Sequence, residues 1–169
     1  TIQTESKRGI LECVMSRKKL FSRTTPLVLI WTTVSGVLLL IIEGALKSTR
    51  GWIQKKEYSS LDDKMSLFAL IGAHTQLLIG FALYFISPKV RLDDMAGSMK
   101  DPLLRFFTVE HVSMMIIAVA LVTIGRIKSK KQDEGWKKHK TVSIFFLLAL
   151  IIILAAIPWP FSKISGSWF

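Results

Sequence analysis

A chain of 169 residues that is half hydrophobic, with a mean hydropathy of +0.43, is too apolar for an ordinary soluble domain of its length. Its formal net charge of +11 would suggest nucleic acid in a soluble protein. Here no aromatic-interleaved basic surface or known module accompanies the charge, and nucleic-acid binding is not expected. Lys and Arg instead flank apolar blocks, where they fix topology and meet the lipid bilayer. The single Cys13 excludes an internal disulfide framework.

Residues 1–23 are polar and basic. Ile10, Leu11, Val14 and Met15 recur at helical spacing before Arg17, Lys18 and Lys19. That pattern suggests a short amphipathic helix on the membrane surface, with a disordered tail as the alternative. No small-residue cleavage site follows a short apolar core, so no cleavable signal peptide is expected.

Residues 24–169 read as one four-helix transmembrane domain. The apolar residues fall in four blocks, about 27–46, 65–87, 106–125 and 141–161. At about 1.5 Å per residue, each block crosses a hydrocarbon core of roughly 30 Å. The ten-residue alternation of a membrane β-barrel is missing. The expected fold is therefore an all-α integral membrane protein, a bundle of four transmembrane helices.

Span one begins at Pro26, a favoured first-turn residue. Loop one, 47–64, is charged, with Trp52 and Tyr58 as interfacial anchors. Span two carries Gly72, Gln76 and Gly80 four residues apart, one stripe down a helix face. Small residues at that spacing permit close helix packing, and Gln76 can hydrogen-bond across the contact. Loop two covers 88–105. Span three ends at Arg126, and the basic loop three, 126–140, leads to span four, closed by Pro158 and Pro160.

Loops one and three share one side of the membrane; the termini and loop two share the other. Loops 47–64 and 126–140 hold twelve Lys and Arg residues against eleven opposite, or against five with residues 1–23 set aside. On the latter count the two loops are cytoplasmic.

Ionisable side chains inside spans are expensive and point to function. The candidates are His74, Glu110, His111 and His139, with Gln76, Met114 and Met115 nearby. Imidazole and thioether are the usual axial ligands of a non-covalent haem b, and helix bundles build such sites from facing helices. Counting helical rise from the side of loops one and three, His139 lies at the interface, His74 about 13 Å in, Met115 about 17 Å in and His111 about 22 Å in. A His74–Met115 pair fits these heights better than His74–His111. A His111 site with a ligand from another chain also stays open. The plain alternatives are a hydrogen bond from His74 to a neighbouring helix, packing for Met114 and Met115, and a solvated interfacial His139. Glu110 reads either as a proton relay or quinone contact or as a carboxylate snorkelling to water.

The runs KMSLFALIGAHTQLLIGFALYFISP, MKDPLLRFFTVEHVSMMIIAVALVTIGR and KKHKTVSIFFLLALIIILAAIPWPF resemble a family of small bacterial four-helix membrane proteins labelled cytochrome b-like. The resemblance covers about residues 47–169, and its EHxxMM and IPWPF elements are the more specific parts. It implies an inner-membrane, haem-binding, electron-transfer protein, with His74, His111 and His139 as the family's histidines on spans two to four. The family also has a histidine at the start of span one; here FSRTTPLVLIW carries none. Two functions follow as expectations. One is a b-type cytochrome-like electron carrier of a respiratory or other redox complex, exchanging electrons with quinone. The other is a haem-free accessory subunit packed against other membrane subunits. Independent catalysis is not expected, since no nucleophile–base pair stands out.

Overall fold

The structure, a computed structural model, describes residues 32–87 and 90–157. The segment 1–23, the start of span one and the Pro158 and Pro160 closure of span four lie outside the described residues. The chain divides into two compact units, Thr1–Gly36 and Val37–Phe169. Of the first, only residues 32–36 are described, as the opening of a helix.

The described residues contain no strand. Four helices are long and apolar enough to cross a membrane: α1 Thr32–Ile53, α2 Ser60–Ile86, the continuous helix Pro102–Lys130 and α6 Gly135–Ala156. The third of these is composite. It opens as α4 (Pro102–Arg105), passes through one π-helical turn (Phe106–Glu110) and continues as α5 (His111–Lys130). A short α3, Met95–Lys100, lies in loop two. This is the all-α four-helix membrane bundle expected.

The helices outrun the apolar blocks. Span two was expected from residue 65, yet α2 starts at Ser60, where Ser59 and Asp62 form a reciprocal capping box. Loop one shrinks from 47–64 to the few residues between Ile53 and Ser60, and loop three to those between Lys130 and Gly135. Hydropathy marks where lipid is; caps mark where the helix ends. The charged turns between those limits are still helical, and they bring polar side chains of different helices together.

Within the second unit each helix meets its neighbours around a ring. Thr49 on α1 and Ser143 on α6 have hydroxyl oxygens 2.7 Å apart. Thr49 donates its own hydrogen to the Ala45 carbonyl, so Ser143 is the donor between the helices. Gly72 on α2 lies against Val37 on α1. The core packs four alanines, Ala45, Ala69, Ala118 and Ala149, around Ile41, Val122, Val142 and the one large side chain of the cluster, Phe146. Small residues let helix backbones approach closely, where dispersion contacts and not lipid exclusion hold them.

Candidate functional site

Four helices converge at the end that carries loops one and three, on a buried polar cluster. Its centre is Arg126, near the end of α5 and only 4% exposed. Its Nη1 donates to the Asp63 carbonyl at 2.7 Å and to the Ser66 hydroxyl, and its Nη2 lies 3.1 Å from the Asp63 carboxylate. Both partners sit in the first turns of α2, so the guanidinium fork clamps α5 to α2. A planar fork suits this multi-point contact better than a point charge. Tyr58 closes the cluster from loop one, its hydroxyl 3.1 Å from the Asp62 carbonyl and 3.2 Å from Ser66 Oγ. Burial pushes that phenol above the ordinary tyrosine value of 10.0. α1 contributes Lys47, whose ammonium is 2.8 Å from Asp62 Oδ1.

α6 contributes His139. This histidine was expected to be solvated at the interface, and here the structure differs: it is 2% exposed. The helix starts at Gly135, so residue 139 is already a full turn inside it, under the folded loop one. Its Nε2 is 3.4 Å from the Glu57 carbonyl and 3.9 Å from Asp62 Oδ2. Its ring meets the Tyr58 ring edge-on at 4.9 Å. Gly51 on α1 makes the room, because a Cβ there would fall 2.6 Å from the imidazole. Nδ1 is buried with no hydrogen-bond partner among the described residues.

The other histidines lie elsewhere. His111 follows the π turn at the opposite end. Its Nδ1 lies 2.9 Å from the carbonyl of Ala156. A carbonyl only accepts, so Nδ1–H is the donor and His111 caps one of the unsatisfied C-terminal carbonyls of α6. The rings of Phe106 and Phe107 flank it at centroid distances of 5.8 and 6.4 Å. Thr108 within the π turn is buried and accepts from the Tyr84 hydroxyl through its carbonyl at 2.8 Å. Glu110 is held by Arg105 at 2.7 Å.

His74, the fifteenth of the 27 residues of α2, is exposed. It shares a helix face with the exposed Leu67, Ile71 and Leu78, and its Nδ1 donates to its own helix at Leu70 O, 3.0 Å away. Met114 and Met115 are half-buried on α5. Thus the three histidines occupy one outer face and two opposite ends, and no metal-sized group of His, Cys, Asp or Glu side chains forms among the described residues. The Gly72–Gln76–Gly80 stripe divides as well. Gly72 touches Val37, Gly80 has open space where a Cβ would be, and the Gln76 carboxamide oxygen is buried without a partner among the described residues.

Among the described residues, no two of the candidate ligands face each other across a space that a haem would fill. His74 faces out, His111 and His139 lie at opposite ends, and Phe146, Ile41, Val122 and Val142, each at most 1% exposed, fill the middle.

Sequence reasoning treated Arg126 as a span end and missed Asp62, Asp63 and Ser66. The signal was present in Ser59-x-x-Asp62, a capping box that starts a helix five residues before the apolar block. That start brings Asp63 and Ser66 to the height of Arg126.

Fold and cluster together define a multi-pass helical membrane protein with a polar, four-helix junction at one end. No protein-family model matches the chain, nor does any curated protein or solved structure.

Proposed function

We propose that this chain is a haem-free accessory subunit of a larger assembly in a bacterial cytoplasmic membrane. The observation that carries the reading is His74. A histidine halfway along a spanning helix, on a face otherwise made of exposed Leu and Ile, is costly against lipid. Its Nδ1–H is spoken for by Leu70, which leaves Nε2 as an acceptor with no partner among the described residues, one that a helix of another chain would satisfy. The cluster around Arg126 suits a structural role, since it ties α1, α2, α5 and α6 in one register. With twelve Lys and Arg residues at 47–64 and 126–140, these loops face the cytoplasm in this reading.

The electron-carrier reading is the second. It is favoured by the Nδ1–H bonds of His74 and His111 to carbonyls, the arrangement that orients a histidine for ligation through Nε2. Neither histidine faces a second ligand among the described residues, so in this reading another chain supplies it.

A photo-crosslinking residue at position 74 in intact membranes tests the subunit reading. The expected product is one discrete protein adduct of fixed mass. Lipid adducts alone at position 74, matching those from the exposed Ile151 of α6, would contradict it.

A further inference from the structure

A cleft of about 210 Å³ opens where loop one, the end of α5 and the start of α6 meet; its wall includes Tyr58, Ser60, Asp63, Ser129, Lys130 and Lys138. Pockets for drug-sized ligands and cofactors run to roughly 300–1,000 Å³ and are mostly apolar. This one is smaller and polar, so it suits a small charged group and not a quinone or a porphyrin.

The charges of its wall do not cancel. The Asp63 carboxylate is already neutralised by the buried Arg126. Lys130 and Lys138 have no carboxylate partner among the described residues. Several lysines nearby do have partners: Lys47 lies on Asp62, Lys137 on Glu134, Lys128 over the Phe145 ring and Lys140 over the Trp52 ring; Lys131, like Lys130, has no carboxylate partner among the described residues but does not line the cleft. The Ser60 hydroxyl likewise makes no hydrogen bond among the described residues, whereas Ser129 gives its hydrogen to the Arg126 carbonyl. Two ammonium groups and a hydroxyl able to donate therefore border one cleft, whose wall carboxylate, Asp63, is held by Arg126. The cleft lies where α5 ends and α6 begins, at the level at which spanning helices leave the hydrocarbon for the headgroups.

We propose that this cleft binds a phosphate group, supplied by the headgroup of an anionic phospholipid, with Lys130, Lys138 and Ser60 as its donors. Diffuse attraction between a basic loop and a membrane would not depend on which lysines are present; a built site does.

The test uses the full chain in a non-ionic detergent, with bound lipid read by native mass spectrometry. Phosphatidylglycerol and phosphatidylcholine are offered at equal concentration, and inorganic phosphate is added in a separate arm. Wild type should retain phosphatidylglycerol selectively. Retention should fall about fivefold in K130Q and in K138Q, and multiplicatively in the double variant. K56Q/K131Q, which removes two exposed charges that do not line the cleft, should retain it as wild type does. If millimolar phosphate displaces the lipid and raises the melting temperature of wild type as much as the lipid did, phosphate recognition stands with a soluble ligand as its source. Undiminished retention in K130Q/K138Q, or an equal loss in K56Q/K131Q, overturns the site.

Discussion

Arg126 and Asp63 are bound twice over, through the backbone carbonyl of Asp63 and through its carboxylate, so one guanidinium joins α5 to the first turn of α2. Arg126 is buried, whereas the Asp63 side chain is 42% exposed and can rehydrate when its partner is removed. The Asp63 carbonyl and the Ser66 hydroxyl keep each other at 2.9 Å, so the cost of Arg126→Met is mainly its lost charged hydrogen bonds, about 1.5–3 kcal/mol. Arg126→Lys recovers only part of this, because an ammonium cannot fork. Asp63→Asn keeps the carbonyl and should cost less than 1 kcal/mol, as half-exposed pairs do. Thermal unfolding in detergent should rank the variants in that order; D63N as harmful as R126M would place the clamp on the carboxylate instead.

Gly51 and His139 are in contact because Gly51 has no side chain. Gly51→Ala puts a methyl 2.6 Å from the imidazole, and neither the α1 backbone nor a ring held under Tyr58 can yield easily. Overpacking of this kind costs about 1–3 kcal/mol. Gly80→Ala, with open space around it, should be neutral and gain slightly from helix propensity. Equal melting temperatures for G51A and G80A would contradict the placement of His139.

The carboxamide oxygen of Gln76 is buried and unpaired among the described residues. Gln76→Met removes that burden at similar volume. It should stabilise the isolated chain by about 1 kcal/mol, within the usual penalty for a buried unsatisfied group. A loss of stability on this substitution would mean that Gln76 has a partner in the isolated chain.

Tyr58 gives the protein an alkaline limit. Burial raises its folded-state pKa above the ordinary value of 10.0, so below that value its contribution to stability is constant. As pH rises from the unfolded-state value through the folded one, the unfolded chain loses its proton first, and stability falls. Ultraviolet titration should find a tyrosinate step later than that of the denatured chain, and Tyr58→Phe should remove it. A titration that Tyr58→Phe changes only at the ordinary tyrosine value would argue against the burial of that hydroxyl.

Much of the architecture was legible in the sequence because the bilayer imposes it. Twenty-residue apolar blocks have few alternatives to spanning helices, and short charged connections force neighbours to be antiparallel. Helix ends were not legible from hydropathy. Ser59 and Asp62 decide the start of α2 through local hydrogen bonds, inside a stretch whose charge reads as loop. The site was legible only as an inventory. His74, His111 and His139 look alike in sequence, yet one faces out, one caps a helix end and one is enclosed beneath a loop. Rise along a helix predicts height but not azimuth or what a neighbouring loop covers. For that reason His139, next to three lysines, could not be read as buried.

The central claim, a membrane subunit without a haem of its own, is tested most directly by a reduced-minus-oxidised absorption spectrum of the purified chain from haem-replete cells. The account predicts no b-type haem band in wild type. A stoichiometric band that disappears in His74→Ala or His111→Ala would contradict it and establish the electron-carrier reading in its place.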